Sequence, residues 1–141
     1  PPTESLMQGI MKAMEHNIKG EYMEGLVCTY RELTGSRFPF DEEKFREKAK
    51  VGMDHGHNPF PGHGAAVSSS PHRKDRLKDI NLPTLVIHGT EDAILPFDHG
   101  QALADGIPNA QIMTLEGVGH EIPDQMIDEI TSKMIEHFNS I

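Results

Sequence analysis

Hydrophobic residues recur at three- and four-residue spacing between residue 3 and about residue 53, which is the spacing of amphipathic helices. Glycines at positions 20 and 35 divide this stretch, and glycine commonly ends a helix. We therefore predict a first helix that ends at Gly20 and a second helix over Tyr22–Leu33. The apolar stripe of the first helix comprises Leu6, Met7, Ile10, Met11, Met14 and Ile18.

A third helix is predicted to begin at Asp41, because a carboxylate there can accept hydrogen bonds from the first helical turn. Its apolar face comprises Phe45, Ala49 and Met53. The next stretch, residues 54–72, is rich in Gly, Pro, Ser and His, which predicts a linker with a short helix around residues 65–69. Residues 1–72 are therefore predicted to be a helical segment that ends in a linker.

The pattern changes at residue 73, where continuous apolar runs replace the helical spacing. After a short charged helix over residues 73–80, Thr84–His88 and Ala110–Leu115 are apolar runs that indicate strands buried in a parallel sheet. Helices are predicted over Phe97–Ile107 and residues 123–138. The inner face of the last helix comprises Met126, Ile130, Met134, Ile135 and Phe138. We therefore predict an α/β fold in which residues 73–141 form a βαβα unit with a right-handed crossover.

Two strands do not make a stable sheet, since both faces and both edges of the sheet need covering. The rest of the core must therefore lie outside this chain, or another chain must supply it. The short exposed strands favour pairing at their edges, so we predict self-association if the chain folds alone.

Two residues that can carry chemistry follow the two predicted strands. Asp92 lies four residues past the first strand, and His120 lies in the Gly-rich loop past the second. Ligands bind outside the C-terminal ends of such strands, and neighbouring strands are about 4.8 Å apart, so the two side chains can meet. An imidazole backed by a carboxylate is the proton-handling half of a serine hydrolase. Each residue alone is more simply a turn-former or cap, but the pair in this order favours catalysis.

Residues 82–123, LPTLVIHGTEDAILPFDHGQALADGIPNAQIMTLEGVGHEIP, resemble the end of the α/β-hydrolase fold. The shared features are a Pro-led strand ending in His-Gly-x-x-Asp, an Ala/Leu helix, an Ile-Pro-x-Ala turn and a strand leading to Gly-x-Gly-His. The resemblance implies that Asp92, rather than Glu91, is the acid of a Ser…Asp/Glu…His triad and that His120 is its histidine. It also implies that residues 1–72 are a cap or lid, similar to that of esterases related to the aclacinomycin methylesterases.

The nucleophile of that family is missing from this chain. A Gly-x-Ser-x-Gly elbow should precede the cap, but no such pentapeptide occurs. The serines at 68–70 lack the flanking glycines and the preceding strand, so they are poor substitutes. We therefore predict the C-terminal fragment of a serine hydrolase, inactive by itself, whose missing partner is the N-terminal half of the core.

Charge and cysteine content narrow the remaining classes of function. Lys and Arg total 13 against 22 Asp and Glu, a formal net charge of -9 that argues against a nucleic-acid partner. No apolar run approaches the ~20 residues that a membrane helix needs. Cys28 is the only cysteine, so an intrachain disulfide is excluded. These features favour a cytoplasmic protein without a membrane span.

Three other groups of residues have a structural explanation. Asp54, His55, His57 and His63 suggest a metal site, but their spacing matches no familiar zinc pattern and a polar loop is the simpler interpretation. The methionines of the first helix fit helix packing, with a lining for a substrate pocket as the alternative. Cys28 is predicted to be a buried structural thiol. No metal or other cofactor is expected.

The leading hypothesis is hydrolysis of a carboxylic ester or related acyl substrate, with His120 as base and then acid and Asp92 orienting it. One alternative is a non-catalytic, hydrolase-like binding module, which has no need of the Asp92–His120 pair. The other is a structural fragment that associates with itself.

Overall fold

The first part of the chain consists of three helices. The computed structural model describes residues 2–56, 66–67 and 69–140. Helices α1, α2 and α3 span Glu4–Ile18, Tyr22–Leu33 and Glu42–Asp54. The second of these confirms the predicted bounds. Asp41 also caps α3 as predicted, since its Oδ1 accepts a hydrogen bond from the Lys44 N–H at 3.1 Å.

The second part is the predicted βαβα unit. Strands β1 (Leu85–Gly89) and β2 (Gln111–Leu115) are parallel, with Leu85 opposite Gln111 and Gly89 opposite Leu115. Helix α4 (Phe97–Gly106) connects the strands and α5 (Ile127–Asn139) follows β2. Short 3-10 helices at Lys74–Asp79 and Asp124–Met126 precede β1 and α5. The α/β fold class is therefore confirmed.

Two clusters of buried side chains join the two parts at the ends of the strands. One cluster brings Leu6 of α1 and Leu33 of α2 onto Ala93, which follows β1. The other contains Leu115, Val118, Met126 and Ile130, and Phe38 from the α2–α3 connection packs against it. Because burial of a large apolar side chain stabilises by about 1.5–3 kcal/mol, these clusters hold the helical part against the C-terminal ends of the strands.

The apolar stripe predicted for α1 is only partly buried. Helix α1 packs on α2 through a face that contains Leu6, Gly9 and Ala13, and a Cβ on Gly9 would press on the Glu32 side chain. Small residues let the two helices approach closely, so the contact is centred on them. The prediction is therefore wrong for one edge of the stripe. The exposed residues of that edge are Met7, Met11, Met14 and Ile18.

The inner face predicted for the last helix is also partly wrong. Met126 and Ile130 are buried, as predicted. The buried line then continues at His137, seven residues after Ile130 and therefore on the same side of the helix. The residues of the predicted face that are exposed are Met134, Ile135 and Phe138.

Three smaller predictions differ or lie outside the structure. Cys28 is half-buried rather than buried. Residues 65 and 68 of the short predicted helix, together with His57 and His63, lie outside the described residues. None of the helices in the described part of the chain is long and apolar enough to cross a membrane.

Candidate active site

Asp92 lies in the loop after β1, where local backbone donors fix its carboxylate. The residue is only 8% exposed. Its Oδ1 accepts hydrogen bonds from the backbone N–H groups of Ile94 at 2.9 Å and Leu95 at 2.8 Å. An aspartate that binds the backbone two and three residues ahead is a common turn-former. Here the turn uses one oxygen and leaves Oδ2 to face another partner.

The partner of Asp92 Oδ2 is His120, in the loop after β2. The two atoms joined are His120 Nδ1 and Asp92 Oδ2, 2.8 Å apart. Because the carboxylate is an acceptor, Nδ1 carries the proton in the neutral imidazole and Nε2 is left as the basic nitrogen. The His120 side chain is 37% exposed, against 6% for that of Asp92. The structure thus brings the two predicted site residues together, with the carboxylate buried behind the imidazole.

His88, at the end of β1, is a second imidazole beside the same carboxylate. Its Nε2 lies 2.7 Å from the Leu95 carbonyl oxygen and 3.6 Å from Asp92 Oδ2. The ring is held between Phe97, with centroids 6.0 Å apart, and Gly100, where a Cβ would collide with the ring. Sequence reasoning placed His88 in a strand motif and gave it no role. The available signal was a polar residue within an otherwise apolar run.

The loops after β1 and β2 are hydrogen-bonded directly to each other. The Thr90 N–H donates to the Leu115 carbonyl at 3.1 Å, and the Glu91 N–H donates to the Val118 carbonyl at 3.0 Å. The Gly117 N–H donates in turn to Thr90 Oγ1 at 2.9 Å. These bonds set the separation between the loop that carries Asp92 and the loop that carries His120.

Glu91 faces away from the Asp92–His120 pair and binds the α2–α3 connection. The Ser36 N–H and O–H donate to its two carboxylate oxygens at 2.6 and 2.7 Å. These hydrogen bonds lower the pKa of Glu91 below its usual value. The sequence predicts Asp92 rather than Glu91 as the acid of the pair. In the structure the Glu91 carboxylate is hydrogen-bonded to Ser36.

A cleft of about 170 Å³ lies between α3 and residues 121–125, which follow His120 in the chain; His120 itself does not line it. Its lining includes the aromatic side chains of Tyr30, Phe38 and Phe45 and the carboxylate of Glu121. Burial raises the pKa of Tyr30, and the nearby charge of Glu121 adds to this effect. Asp124 also lines the cleft and binds the ammonium groups of two lysines, which lower its pKa to about 2.

The described residues include no cluster that could hold a metal ion, and two of their serines are bound to glutamates. No group of three His, Cys, Asp or Glu side chains in the described part is placed to hold a metal ion. Ser5 binds Glu32 and Ser36 binds Glu91, so neither hydroxyl is directed at the histidine. Within residues 2–56, 66–67 and 69–140, the hydrogen-bond partner of the His120 side chain is Asp92.

Two kinds of comparison with known proteins concern the family and the fold of the chain. A sequence model of the TAP-like protein family of α/β-hydrolases matches residues 49–138, well over half of the chain. Rhodomycin D methylesterase DauP of Streptomyces sp. (strain C5) is 29% identical over 121 residues, which cover 83% of this chain and 40% of that protein. The chain therefore spans less than half the length of this curated relative.

Solved structures show the same fold. A bromoperoxidase from Bacillus anthracis superposes with a TM-score of 0.65 at 20% identity, covering 95% of this chain and 48% of its own. An esterase from Exiguobacterium antarcticum gives a TM-score of 0.66 at 16% identity, covering 94% of this chain and 46% of its own. At these identities the similarity to solved structures shows the fold alone. The family model supplies the family: the chain belongs to the TAP-like family of α/β-hydrolases.

Proposed function

We propose that this chain is the acid- and base-bearing part of a serine hydrolase that acts on carboxylic esters. The observation that carries the proposal is the 2.8 Å contact between His120 Nδ1 and a buried Asp92 carboxylate that two backbone N–H groups hold in place. A merely structural aspartate has no need of a half-exposed imidazole on its second oxygen. The similarity to a methylesterase supports an ester as the substrate class.

In the proposed reaction, Asp92 orients His120 and stabilises the imidazolium that forms, and His120 Nε2 moves the protons. Nε2 takes the proton of a serine hydroxyl as the serine oxygen attacks the ester carbonyl, and gives that proton to the leaving alkoxide. A water molecule then attacks the acyl-enzyme while Nε2 accepts its proton, and that proton returns to the serine. The serine and the oxyanion donors belong to residues outside this chain, upstream of the cap.

We assign two roles along the sequence on the same basis. Residues 1–72 serve as the cap and linker, and residues 73–141 as the C-terminal part of the core. The packing of Leu6 and Leu33 onto Ala93, beside Asp92, supports the cap assignment. The missing N-terminal half of the core is the natural partner of the β1 edge, and in its absence we expect copies of the chain to associate.

The test is fluorophosphonate labelling with an intact-mass readout, applied to this chain and to the product of the full upstream reading frame. We expect only the longer product to gain one adduct, and His120→Ala to abolish that gain. Asp92→Asn should lower the labelling rate steeply, by up to ~10⁴-fold, because the imidazole loses its correct tautomer. His99→Ala is the matched control, since His99 is exposed on α4 and should label like the wild type.

A longer product that stays unlabelled while correctly folded would contradict the proposal. The fold would then serve a non-catalytic binding module, and the Asp92–His120 pair would be a structural contact between the two loops.

A further inference from the structure

Three segments meet behind His120: the loop after β1, the loop after β2, and the connection between α2 and α3. The first two carry Asp92 and His120. The third, residues 33–37, belongs to the helical part and touches both of the others. We refer to residues 33–37 as the connecting segment.

The connecting segment holds the backbone of the histidine loop at two points. The His120 N–H donates to the Leu33 carbonyl at 2.9 Å, which is the end of α2. The Arg37 N–H donates to the Gly117 carbonyl at 2.8 Å. The backbone of His120 is therefore held by the last residue of α2, in addition to the hydrogen bonds between the loops after β1 and β2.

The contact leaves no room for adjustment. A Cβ added at Gly35 would collide with the Gly117 carbonyl, and one added at Gly119 would collide with the Leu33 carbonyl. Because the backbones of the connecting segment and of the loop after β2 touch without side chains between them, a displacement of the segment moves the loop. A shift of the connecting segment would consequently move His120 against Asp92.

Glu91 ties the same segment to the acid loop. Both carboxylate oxygens are used, one on the Ser36 N–H and one on its hydroxyl. Hydrogen bonds to an ionised acceptor are shorter and stronger than neutral ones, and two of them fix orientation as well as distance. Glu91 is the neighbour of Asp92 in the chain. Its hydrogen bonds to Ser36 therefore couple the position of the connecting segment, and of the His120 that it binds, to the position of Asp92.

We propose that Glu91 and Ser36 form a clamp that sets the position of His120 relative to Asp92, acting through the Leu33 carbonyl. This inference rests on the proposed hydrolase function for its kinetic consequence but not for its structural one. Glu91 is then a positioning residue, and α2 belongs to the catalytic geometry as well as to the cap.

The variants that test the clamp are Glu91→Ala, Glu91→Gln and Ser36→Ala, made in the product of the complete reading frame. The matched control is Glu116→Gln, which removes the same charge from the histidine loop. The structure shows no hydrogen bond or ion pair for the Glu116 side chain with the described residues. Thermal unfolding of each variant establishes that it is folded, and Glu91→Gln keeps the shape of the side chain if Glu91→Ala does not fold.

Two readouts are measured on each variant. The first is the far-downfield proton resonance of His120 Nδ1–H, which reports its hydrogen bond to Asp92 directly. The second is hydrolysis of p-nitrophenyl butyrate. We expect Glu91→Ala to broaden or shift that resonance and to lower kcat about tenfold with little change in KM, since small misplacements of a catalytic group are costly. Glu91→Gln and Ser36→Ala should give smaller changes of the same kind, and Glu116→Gln should change neither readout.

The outcomes separate this inference from the proposed function. A Glu91→Ala protein whose resonance and kcat match those of Glu116→Gln overturns the clamp and leaves the hydrolase proposal intact. A resonance that shifts in a protein without any hydrolase activity supports the clamp and counts against the hydrolase. A fall in kcat with an unchanged resonance overturns the clamp, because Glu91 would then act by some route other than the position of His120.

Discussion

Both the helical part and the βαβα part of this molecule contain regularly spaced apolar residues, but the two parts bury them to different extents. In the βαβα part, Val86, Leu115 and Ile130 are buried where the pattern predicts them. In α1, Met11 and Met14 belong to an equally regular stripe and are more than half exposed. Periodicity therefore identifies a helix in both parts, but burial also depends on which neighbour is present. The buried cluster of Leu115 and Ile130 lies within the βαβα part, whereas Leu6 and Leu33 of the helical part are buried against Ala93 of the other part. The outer face of α5 is exposed like the methionine edge of α1.

The largest expected effect is the difference in the free energy of unfolding between two side-chain truncations, one in each part. Leu115→Ala removes a side chain that is 2% exposed, and Met11→Ala one that is 57% exposed. We expect Leu115→Ala to lower the free energy of unfolding by about 2–5 kcal/mol, because it leaves a cavity. Met11→Ala should change it by no more than about 0.5 kcal/mol, as is usual for exposed positions. Denaturant unfolding measures both.

Leu6→Ala is the control within α1, since Leu6 is 1% exposed and should behave like Leu115. A cost for Met11→Ala as large as that for Leu6→Ala would show that the methionine edge is covered in solution, and the comparison between the two parts would fail.

Local signals account for what the sequence predicts correctly. The start of α3 can be predicted from Asp41, because an N-cap residue binds the backbone of its own helical turn. The bounds of α2 can be predicted from the glycines that flank it. The juxtaposition of Asp92 and His120 follows from two strands and one crossover, since the ends of neighbouring parallel strands share one edge.

Contacts between distant segments could not be predicted in this way. Nothing near Ser36 indicates that its hydroxyl binds Glu91, 55 residues further along the chain. The close approach of Gly35 to Gly117 is likewise visible only when both loops are placed. His88 shows the same limit, because its contacts with Leu95 and Gly100 form only after β1 and α4 have packed.

A second prediction concerns which part makes contact with another copy. Along its other side, β1 has no strand partner among residues 2–56, 66–67 and 69–140, and such edges favour association. We expect light scattering to show an oligomer for this chain, and Met11→Glu to leave its mass unchanged, because the contact lies at the strand edge. A monodisperse monomer at low concentration would exclude self-association. An oligomer that Met11→Glu dissociates would instead place the contact on the methionine edge of α1.

The smallest expected effect tests the electrostatic contact between the two parts. Asp124, which precedes α5, lies 2.7 Å from the ammonium nitrogens of both Lys44 and Lys48 on α3. Those hydrogen bonds lower the pKa of Asp124 from 3.8 to about 2 in the folded chain. A depressed carboxylate pKa stabilises the fold above the unfolded pKa, and this contribution is lost as the pH falls toward 2.

Asp124→Asn should therefore lower the thermal midpoint slightly at neutral pH and by much less near pH 2, where the carboxylate is half protonated, and added salt should shrink the difference because the groups are exposed. The measurement is the midpoint of both proteins from pH 2 to 7, at low and high salt. Asp128→Asn is the control, since Asp128 carries the same charge on the first turn of α5 and binds neither lysine. A difference for Asp124→Asn that is as large at pH 2 or in high salt as at neutral pH and low salt would mean that the side chain joins α3 to the βαβα part by packing rather than by charge.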